Sequence, residues 1–113
     1  MKSIAQILNQ SPVLKNKKVS TALFHCFKKR GIPGNLLKVY YDRYSEEYMV
    51  RKYWYMEYKI EQGAIKRPVA WLRNNIENEY SENDGFWTWW RNKREAILRN
   101  ENLDENIKII TNI

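Results

Sequence analysis

Residues 45–80 read SEEYMVRKYWYMEYKIEQGAIKRPVAWLRNNIENEY, a segment that predicts a long helix, a tight turn and a second helix. Ser45 is a favourable N-cap, and the two glutamates that follow it lie where the helix dipole stabilises negative charge. Gly63 supplies the left-handed residue with which a helix often ends. Pro68 suits the first turn of the next helix. Two helices joined this closely should pack as an antiparallel hairpin.

Apolar side chains at helical spacing support both halves of this hairpin. In the first helix, residues 45–62, they follow at steps of four, three and four, and a second stripe runs along residues 68–80. The stripes consist of Met49, Tyr53, Met56 and Ile60 in the first helix and of Val69, Leu72, Ile76 and Tyr80 in the second. We therefore expect this hairpin to form the centre of the fold.

The turn and the second helix carry a family resemblance. Residues 63–73 read GAIKRPVAWLR and resemble a motif of bacterial replication initiator proteins, in which a helix ends, a basic turn follows and an aromatic-Leu helix begins. The segment is also similar to the C-terminal module of DnaD-like replication proteins. This chain has Arg67 where the initiators usually have Asn. The resemblance covers roughly residues 21–80, and the flanking positions that extend it are Leu36, Tyr40, Tyr44, Glu46, Val50, Ile76 and Tyr80.

Residues 1–44 predict three shorter helices separated by polar or Gly-Pro breaks. Ser20 or Thr21 is the expected N-cap of the second of them, and Gly31 is its expected stop. The basic run at residues 15–18 is expected in a solvated loop. The three helices are expected at residues 3–8, 20–30 and 35–44.

Residues 84–98 predict an aromatic-rich helix capped by Asp84, and residues 107–113 form an apolar tail. The helix has Phe86, Trp90 and Ile97 on one face, Trp89 at its edge and Trp87 further round. The tail can form a short helix, a strand-like segment that docks, or a frayed end. We expect an all-α fold, a compact bundle of about five helices in a single domain over residues 1–113, with looser ends at 1–18 and 101–113.

The composition is typical of a small folded protein, and its positive charge favours acidic or phosphate-bearing partners. It has 113 residues, of which 43% are hydrophobic and 14% aromatic, so a modest core is within reach. The net charge of +7 attracts such partners at long range, although many small proteins are basic for no specific reason. The one cysteine, Cys26, lies in an apolar run and reads as a core residue, which fits a reducing cytoplasm. No apolar run predicts a membrane span or an export signal.

Motifs of enzymes and of metal sites are missing from the sequence. The single histidine, His25, is adjacent to Cys26, and neighbours on a helix point about 100° apart, so they do not form a base–nucleophile pair. One histidine and one cysteine are too few for a metal site. None of the four glycines belongs to a phosphate-binding loop. We expect a non-enzymatic protein without cofactor or metal.

Basic residues near the hairpin turn form the first candidate binding site. Lys66 and Arg67 lie just before a predicted helix N-terminus, where backbone N–H groups and two cations can hold a phosphate. Lys59 before the turn and Arg73 after it extend the same surface. Alternatively, these side chains only solubilise the turn. Trp71 of the same segment is a candidate for stacking or for a protein interface.

A second candidate site is the start of the aromatic-rich helix, where Arg91, Lys93 and Arg94 are interleaved with tryptophans. This mixture suits single-stranded nucleic acid, because bases stack on the rings while cations follow the backbone. Trp87 and Trp89 are the candidates for stacking or for an interface. Alternatively, tryptophans at helical spacing belong to the core.

The resemblance and the charge together predict a DNA-binding accessory protein of replication or of plasmid or phage maintenance, with duplex or single-stranded DNA as its partner. The alternative is a small phage or mobile-element adaptor or inhibitor that binds a host replication or regulatory protein through exposed Trp and Tyr. A homodimer is a version of that alternative, with residues 86–90 or 107–113 as its seam.

Overall fold

The computed structural model describes residues 17–112, which form six α-helices and contain no β-strand. The expected all-α bundle is therefore confirmed. The helices are α1 (Lys17–Lys29), α2 (Gly34–Arg43), α3 (Glu46–Glu61), α4 (Pro68–Glu77), α5 (Asp84–Arg99) and α6 (Glu105–Thr111). The helix expected at residues 3–8, and Lys15 of the expected basic loop, lie outside the described residues.

Helix α3 is the centre of the bundle, because α1, α2, α4 and α5 all pack against it. The expected apolar stripe faces inwards, with Met49, Tyr53 and Met56 buried and Ile60 partly buried. Burial is not confined to that stripe, however, since it extends around most of the helix. The buried residues of α3 are Met49, Val50, Lys52, Tyr53, Trp54, Tyr55, Met56 and Tyr58. A helix buried all round belongs to the core rather than to the surface.

The caps expected for the hairpin are present. The Ser45 hydroxyl accepts a hydrogen bond from the Tyr48 N–H at 3.1 Å, which begins α3. Gly63 has a φ of +71°, and the N–H groups of Gly63 and Ala64 donate to carbonyls of the last turn of α3. This is the pattern of a Schellman motif, which satisfies the last carbonyls of a helix. Pro68 occupies the first turn of α4, as expected.

Helix α4 ends earlier than the apolar stripe suggested, which corrects the expected range of 68–80. Its last residue is Glu77, and Tyr80 lies beyond the helix with half of its surface exposed. The backbone turns at Glu79, whose φ is +52°, and the Tyr80 N–H donates to the Asn75 carbonyl at 3.1 Å. The same left-handed ending forms here without a glycine. Asn is a weak helix former, so three asparagines near this end favour termination.

Two other helix starts differ from the predictions. Helix α1 is already formed at Lys17, so neither Ser20 nor Thr21 is its N-cap, and Lys17 and Lys18 belong to a helix rather than a loop. The N-cap of α5 is Asn83 instead of Asp84, because the Asn83 side chain accepts the Phe86 N–H at 2.9 Å. Gly31 follows the end of α1, and α2 begins at Gly34, one residue before its expected start.

The apolar tail takes the first of its three expected forms, a short helix. In α6, Ile110 and Thr111 are buried, and the helix packs mainly on α1 and also on α5. The Asp104 carboxylate caps it by accepting the Asn106 N–H at 2.8 Å. The same carboxylate pairs with Lys29 of α1 at 2.8 Å, so the loop before α6 is tied to the end of α1.

A buried lysine holds the connector between α4 and α5 against α3. Lys52 is 1% exposed, and its ammonium donates to the Asn75 side-chain carbonyl at 2.8 Å and to the Tyr80 backbone carbonyl. It also pairs with Glu82 at 2.9 Å, and the other oxygen of Glu82 accepts the Arg51 guanidinium at 3.0 Å. A buried charge needs such a complete set of partners. This polar group in the core was not predicted.

Candidate nucleic-acid interface

Three helices each place a cation four residues from an aromatic ring, and the three pairs lie on one side of the bundle. Helix α3 contributes Tyr55 and Lys59, the start of α4 contributes Arg67 and Trp71, and α5 contributes Trp89 and Lys93. Residues four apart are neighbours on a helix surface. We call these six residues, together with Tyr58 and with Lys66 of the α3–α4 connector, the aromatic–basic face.

Contacts between the rings join the three pairs. The Tyr55 ring lies 5.6 Å from the Trp71 ring across the α3–α4 contact, and the Tyr58 ring lies 5.4 Å from Trp89 across the α3–α5 contact. Tyr55 and Tyr58 are themselves nearly parallel, with centroids 6.1 Å apart. These are ordinary aromatic packing distances. Tyr55 and Tyr58 are buried, whereas Trp71 and Trp89 are partly exposed.

A small residue allows α5 to lie this close to α3. A Cβ added at Gly85 would come within 2.6 Å of the Tyr58 hydroxyl. A larger residue there would require the Tyr58 hydroxyl, at the end of its side chain, or the start of α5 to shift. The glycine in the first turn of α5 therefore favours the close approach of Tyr58 to α5.

The cations of the face lie against its rings. The Lys59 ammonium is 5.8 Å from the centroid of Tyr55 and 5.9 Å from that of Tyr58, and the Lys93 ammonium is 5.8 Å from Trp89. Cation–π attraction at such partly exposed sites is worth about 0.5–1 kcal/mol. The lysines are thus held near the surface of the face without being buried.

One carboxylate interrupts the positive charge. Glu61 accepts hydrogen bonds from the Trp89 indole and from Lys93, both at 3.0 Å. The hydrogen bond from Trp89, and then that from Lys93, lower the pKa of Glu61, so this carboxylate is ionised at neutral pH. It neutralises Lys93 locally. The positive charge of the face therefore comes mainly from Lys59 and from the α3–α4 connector.

That connector carries the least constrained cations of the face. Lys66 and Arg67 are exposed, and neither has an ion pair within residues 17–112. Arg67 is the N-cap position of α4 and makes no side-chain cap, so the first N–H groups of α4 lack a side-chain acceptor there. Helix N-termini with nearby cations are suited to anions such as phosphate.

The other predicted cations lie elsewhere. Arg73 pairs with Glu77 at 3.6 Å, and Glu77 also accepts the hydroxyl of Tyr40 from α2 at 2.6 Å, so Arg73 lies on the α2 side of α4. Arg94 donates to the Thr111 carbonyl at 3.2 Å, which places it towards α6. Arg91 is one turn before Arg94 and is exposed. The seven predicted cations thus do not form one continuous patch.

An apolar groove lies between α3, α5 and α6, and it adjoins the aromatic–basic face through Phe86, whose ring contacts those of Tyr55 and Tyr58. We call it the Trp groove; its volume is about 430 Å³. The apolar residues that line it are Val50, Trp54, Phe86, Trp87, Trp90 and Ile110. Charged residues that line it include Glu47, Arg51 and Arg94. Trp87, expected to lie away from the core-facing side of α5, is 45% exposed here.

The structure places Cys26 in the core, as predicted. Cys26 is buried, and this burial raises the pKa of its thiol, so the reactive thiolate is disfavoured. His25 is exposed beside it. Among residues 17–112 no three His, Cys, Asp or Glu side chains cluster as a metal site would require.

Sequence reasoning missed Tyr55 and Tyr58 as members of the face and Glu61 as the carboxylate beside it. The usable signal was the repeated spacing of four between ring and cation, which occurs in three helices. That signal identifies each pair, but it does not say that the pairs meet.

Comparison with known proteins adds no relative, since no family model, no curated protein and no solved structure matches the chain significantly. The resemblance to replication initiators therefore stays a prediction. None of the helices in the described range combines the length and the apolar character that crossing a bilayer requires.

Proposed function

We propose that this protein binds single-stranded nucleic acid on the aromatic–basic face and has no enzymatic activity. The observation that carries the proposal is the convergence of three cation–aromatic pairs from α3, α4 and α5 on one side of the bundle. Single strands are held by such surfaces because cations follow the phosphates while exposed bases stack on rings. The partly exposed rings of Trp71 and Trp89 are the stacking surfaces.

The net charge supports the same reading. At +7, the protein attracts polyanions at long range, and Lys66 and Arg67 extend from the connector without partners in the described range. A phosphate at the start of α4 would meet both cations and the N-terminal N–H groups of that helix. DNA is the polyanion that the sequence resemblance over residues 21–80 favours. A role in replication or in plasmid or phage maintenance rests on that resemblance alone, and a location in the cytoplasm rests on the single cysteine of the sequence.

A single strand is favoured over a duplex by the shape of the face. Unpaired bases can stack on its partly exposed aromatic rings, whereas the bases of a duplex are already stacked on one another. No basic residue of α5 other than Lys93 joins the face, so the face does not present a row of cations along one helix to a major groove.

Fluorescence anisotropy with a labelled single strand of about 20 nucleotides, and with a duplex of equal length, tests the proposal at low salt. We expect the single strand to bind more tightly. The double variant Lys66→Glu and Arg67→Glu should weaken binding at least about tenfold and should flatten its salt dependence by about 0.7 per lost phosphate contact. Absence of binding to either nucleic acid at low salt would refute the proposal.

Two controls separate local contacts from total charge and from stacking. The variant Arg91→Glu with Arg94→Glu changes the net charge equally but acts on the groove side of α5, and we expect less than about threefold weakening from such remote charges. If both double variants weaken oligonucleotide binding equally, binding depends on net charge alone and not on the aromatic–basic face. A strand with abasic positions keeps its phosphates, so it should bind more weakly at an unchanged salt slope if the rings stack on bases.

A further inference from the structure

The exposed side of α5 carries an apolar and cationic stripe that continues the Trp groove. Trp87, Arg91, Arg94 and Leu98 follow at steps of four, three and four. At 3.6 residues per turn they fall within about 60° of one another and extend for about 16 Å along the helix. We call this stripe the α5 seam. Trp87 is 45% and Leu98 42% exposed, although both are large apolar residues.

We infer that the α5 seam and the Trp groove bind an acidic amphipathic helix of a partner protein. The seam has the spacing of a helix–helix contact, with apolar residues at both ends and two cations between them. A matching partner helix has apolar residues at its two ends and two carboxylates between them. One of its large side chains enters the groove beside Trp87.

The cations of the seam are available for such a partner. Arg91 has no ion pair within residues 17–112. Arg94 uses its Nε atom on the Thr111 carbonyl, so its two terminal nitrogens remain for a carboxylate. Arg51, by contrast, is already held by Glu82 at 3.0 Å. Arg91 and Arg94 are therefore the residues that specify an acidic partner.

The groove itself is suited to a side chain from outside. Six apolar residues from three helices line it, and its volume of about 430 Å³ is larger than any single side chain requires. Trp54, which lines it, is 3% exposed, and its indole N–H has no acceptor in the described part of the chain. That N–H is itself buried, so the groove offers an occupant apolar surface rather than a hydrogen bond from Trp54.

Charge argues against the two rival occupants. In a symmetric dimer built on α5, Arg91 and Arg94 would face their own copies, which repel each other. A nucleic-acid strand along the groove would pass Glu47, whose carboxylate repels phosphates. Leu98 offers no plane for a base to stack on. An acidic peptide can place a neutral residue opposite Glu47, so it meets neither difficulty.

Binding of a labelled helical peptide to the full chain tests this inference. The peptide has the spacing of the seam, with Leu at its first position, Trp at its last and two Glu between them. We expect binding in the micromolar range by anisotropy. The variant Arg91→Glu with Arg94→Glu should weaken it at least about tenfold. A peptide with Lys in place of both Glu should fail on the wild type and bind the Arg91→Glu, Arg94→Glu variant, because both charges are exchanged.

The matched control is the Lys66→Glu, Arg67→Glu variant, which has the same net charge and should bind the acidic peptide within about threefold of the wild type. Circular dichroism should show wild-type helix content for both variants, with a somewhat lower melting temperature for the Arg91→Glu, Arg94→Glu variant, which loses the Arg94–Thr111 hydrogen bond. Failure of the acidic peptide to bind, or equal binding of the Lys peptide to the wild type, would overturn the inference. So would a dimer in light scattering that the Arg91→Glu, Arg94→Glu variant abolishes, since the second copy would then be the occupant.

The nucleic-acid and peptide experiments fail independently. Loss of oligonucleotide binding in the wild type leaves the peptide result untouched, because the two experiments test different cations: Lys66 and Arg67 of the α3–α4 connector, and Arg91 and Arg94 of α5. Displacement of the peptide by a single strand would overturn the assignment of separate surfaces. Unchanged peptide affinity in the presence of saturating oligonucleotide is the expected outcome.

Discussion

Two lysines on α3 lie against the same ring and have opposite surroundings. The ammonium of Lys52 is 5.9 Å from the centroid of Tyr55, and that of Lys59 is 5.8 Å from it. They are seven residues apart, two turns along one side of the helix. Yet Lys52 is 1% exposed and has three oxygen partners, whereas Lys59 is half-buried and has no carboxylate partner among the described residues.

The difference comes from what covers each end of α3. At Lys52, the connector between α4 and α5 crosses the helix and supplies Glu82 and the Tyr80 carbonyl. At Lys59, the connector between α3 and α4, residues 62–67, contains no carboxylate, and its own cations Lys66 and Arg67 are exposed. The same residue type is thus a structural tie in one place and a charge open to a ligand in the other.

The strongest test of this contrast is the pair of substitutions Lys52→Met and Lys59→Met. The first leaves the carboxylate of Glu82 buried at 7% exposure with only Arg51 beside it, and breaking a buried pair costs about 3–5 kcal/mol. The second removes a partly exposed cation–π contact worth about 0.5–1 kcal/mol. Urea unfolding followed by circular dichroism measures both; equal losses would contradict the contrast.

A second test removes the charge but keeps the shape of the partner. Glu82→Gln retains a hydrogen-bond acceptor for Lys52 but loses the charge that both Lys52 and Arg51 require. We expect a loss of about 1.5–3 kcal/mol, the range for hydrogen bonds to charged groups. The exposed counterpart Glu61→Gln should cost less than about 1 kcal/mol. The two losses are compared through the urea midpoints of the variants, with the slope of unfolding free energy against urea concentration unchanged.

Local signals made most of the fold predictable. Ser45, Gly63 and Pro68 each mark a helix end by a property of one residue, and the structure has helix ends at or next to all three. The end of α4 was missed because Glu79, not a glycine, takes the left-handed conformation there. The start of α1 was missed because a good capping residue such as Ser20 is also tolerated inside a helix.

The site was less predictable, because it depends on how helices face each other. Lys66, Arg67 and Trp71 were identified from one segment, but the link from Trp71 to Trp89 runs through Tyr55 and Tyr58 of α3. Arg73 was grouped with the turn cations and Arg94 with the tryptophans of α5, and their partners Glu77 and Thr111 place them on other sides. The burial of Lys52 was not predictable from the sequence, because a lysine within a helix usually lies in solvent.

A third prediction concerns the connector that covers Lys52. Glu79 has a φ of +52°, a conformation that costs a side-chain-bearing residue about 1–2 kcal/mol and glycine nothing. Glycine also loses more backbone freedom on folding, so Glu79→Gly should stabilise the protein by about 0.5–1 kcal/mol net. The control Glu95→Gly, inside α5, should instead destabilise it by about 1 kcal/mol. Thermal unfolding of the two variants should therefore shift in opposite directions.

The smallest expected effect tests the open end of α3 through pH. Hydrogen bonds from Trp89 and Lys93 lower the pKa of Glu61 in the folded protein, so the stability they contribute is present above the unfolded pKa and is lost as pH falls through the folded one. Because Glu61 is about half exposed, that contribution should be below about 1 kcal/mol. The stability difference between wild type and Glu61→Gln should therefore shrink as the solution is acidified from neutral pH.

Binding supplies the more informative half of this test. Glu61→Gln removes the carboxylate that neutralises Lys93, so at neutral pH the aromatic–basic face gains one free cation. A single strand should then bind a few-fold more tightly, with a salt slope steeper by about 0.7. Glu95→Gln on the outside of α5, where Glu95 pairs with Arg99 at 3.9 Å, makes the same change in net charge away from the face. If both variants improve binding equally, Lys93 does not act at the face, and the open end of α3 contributes only through overall charge.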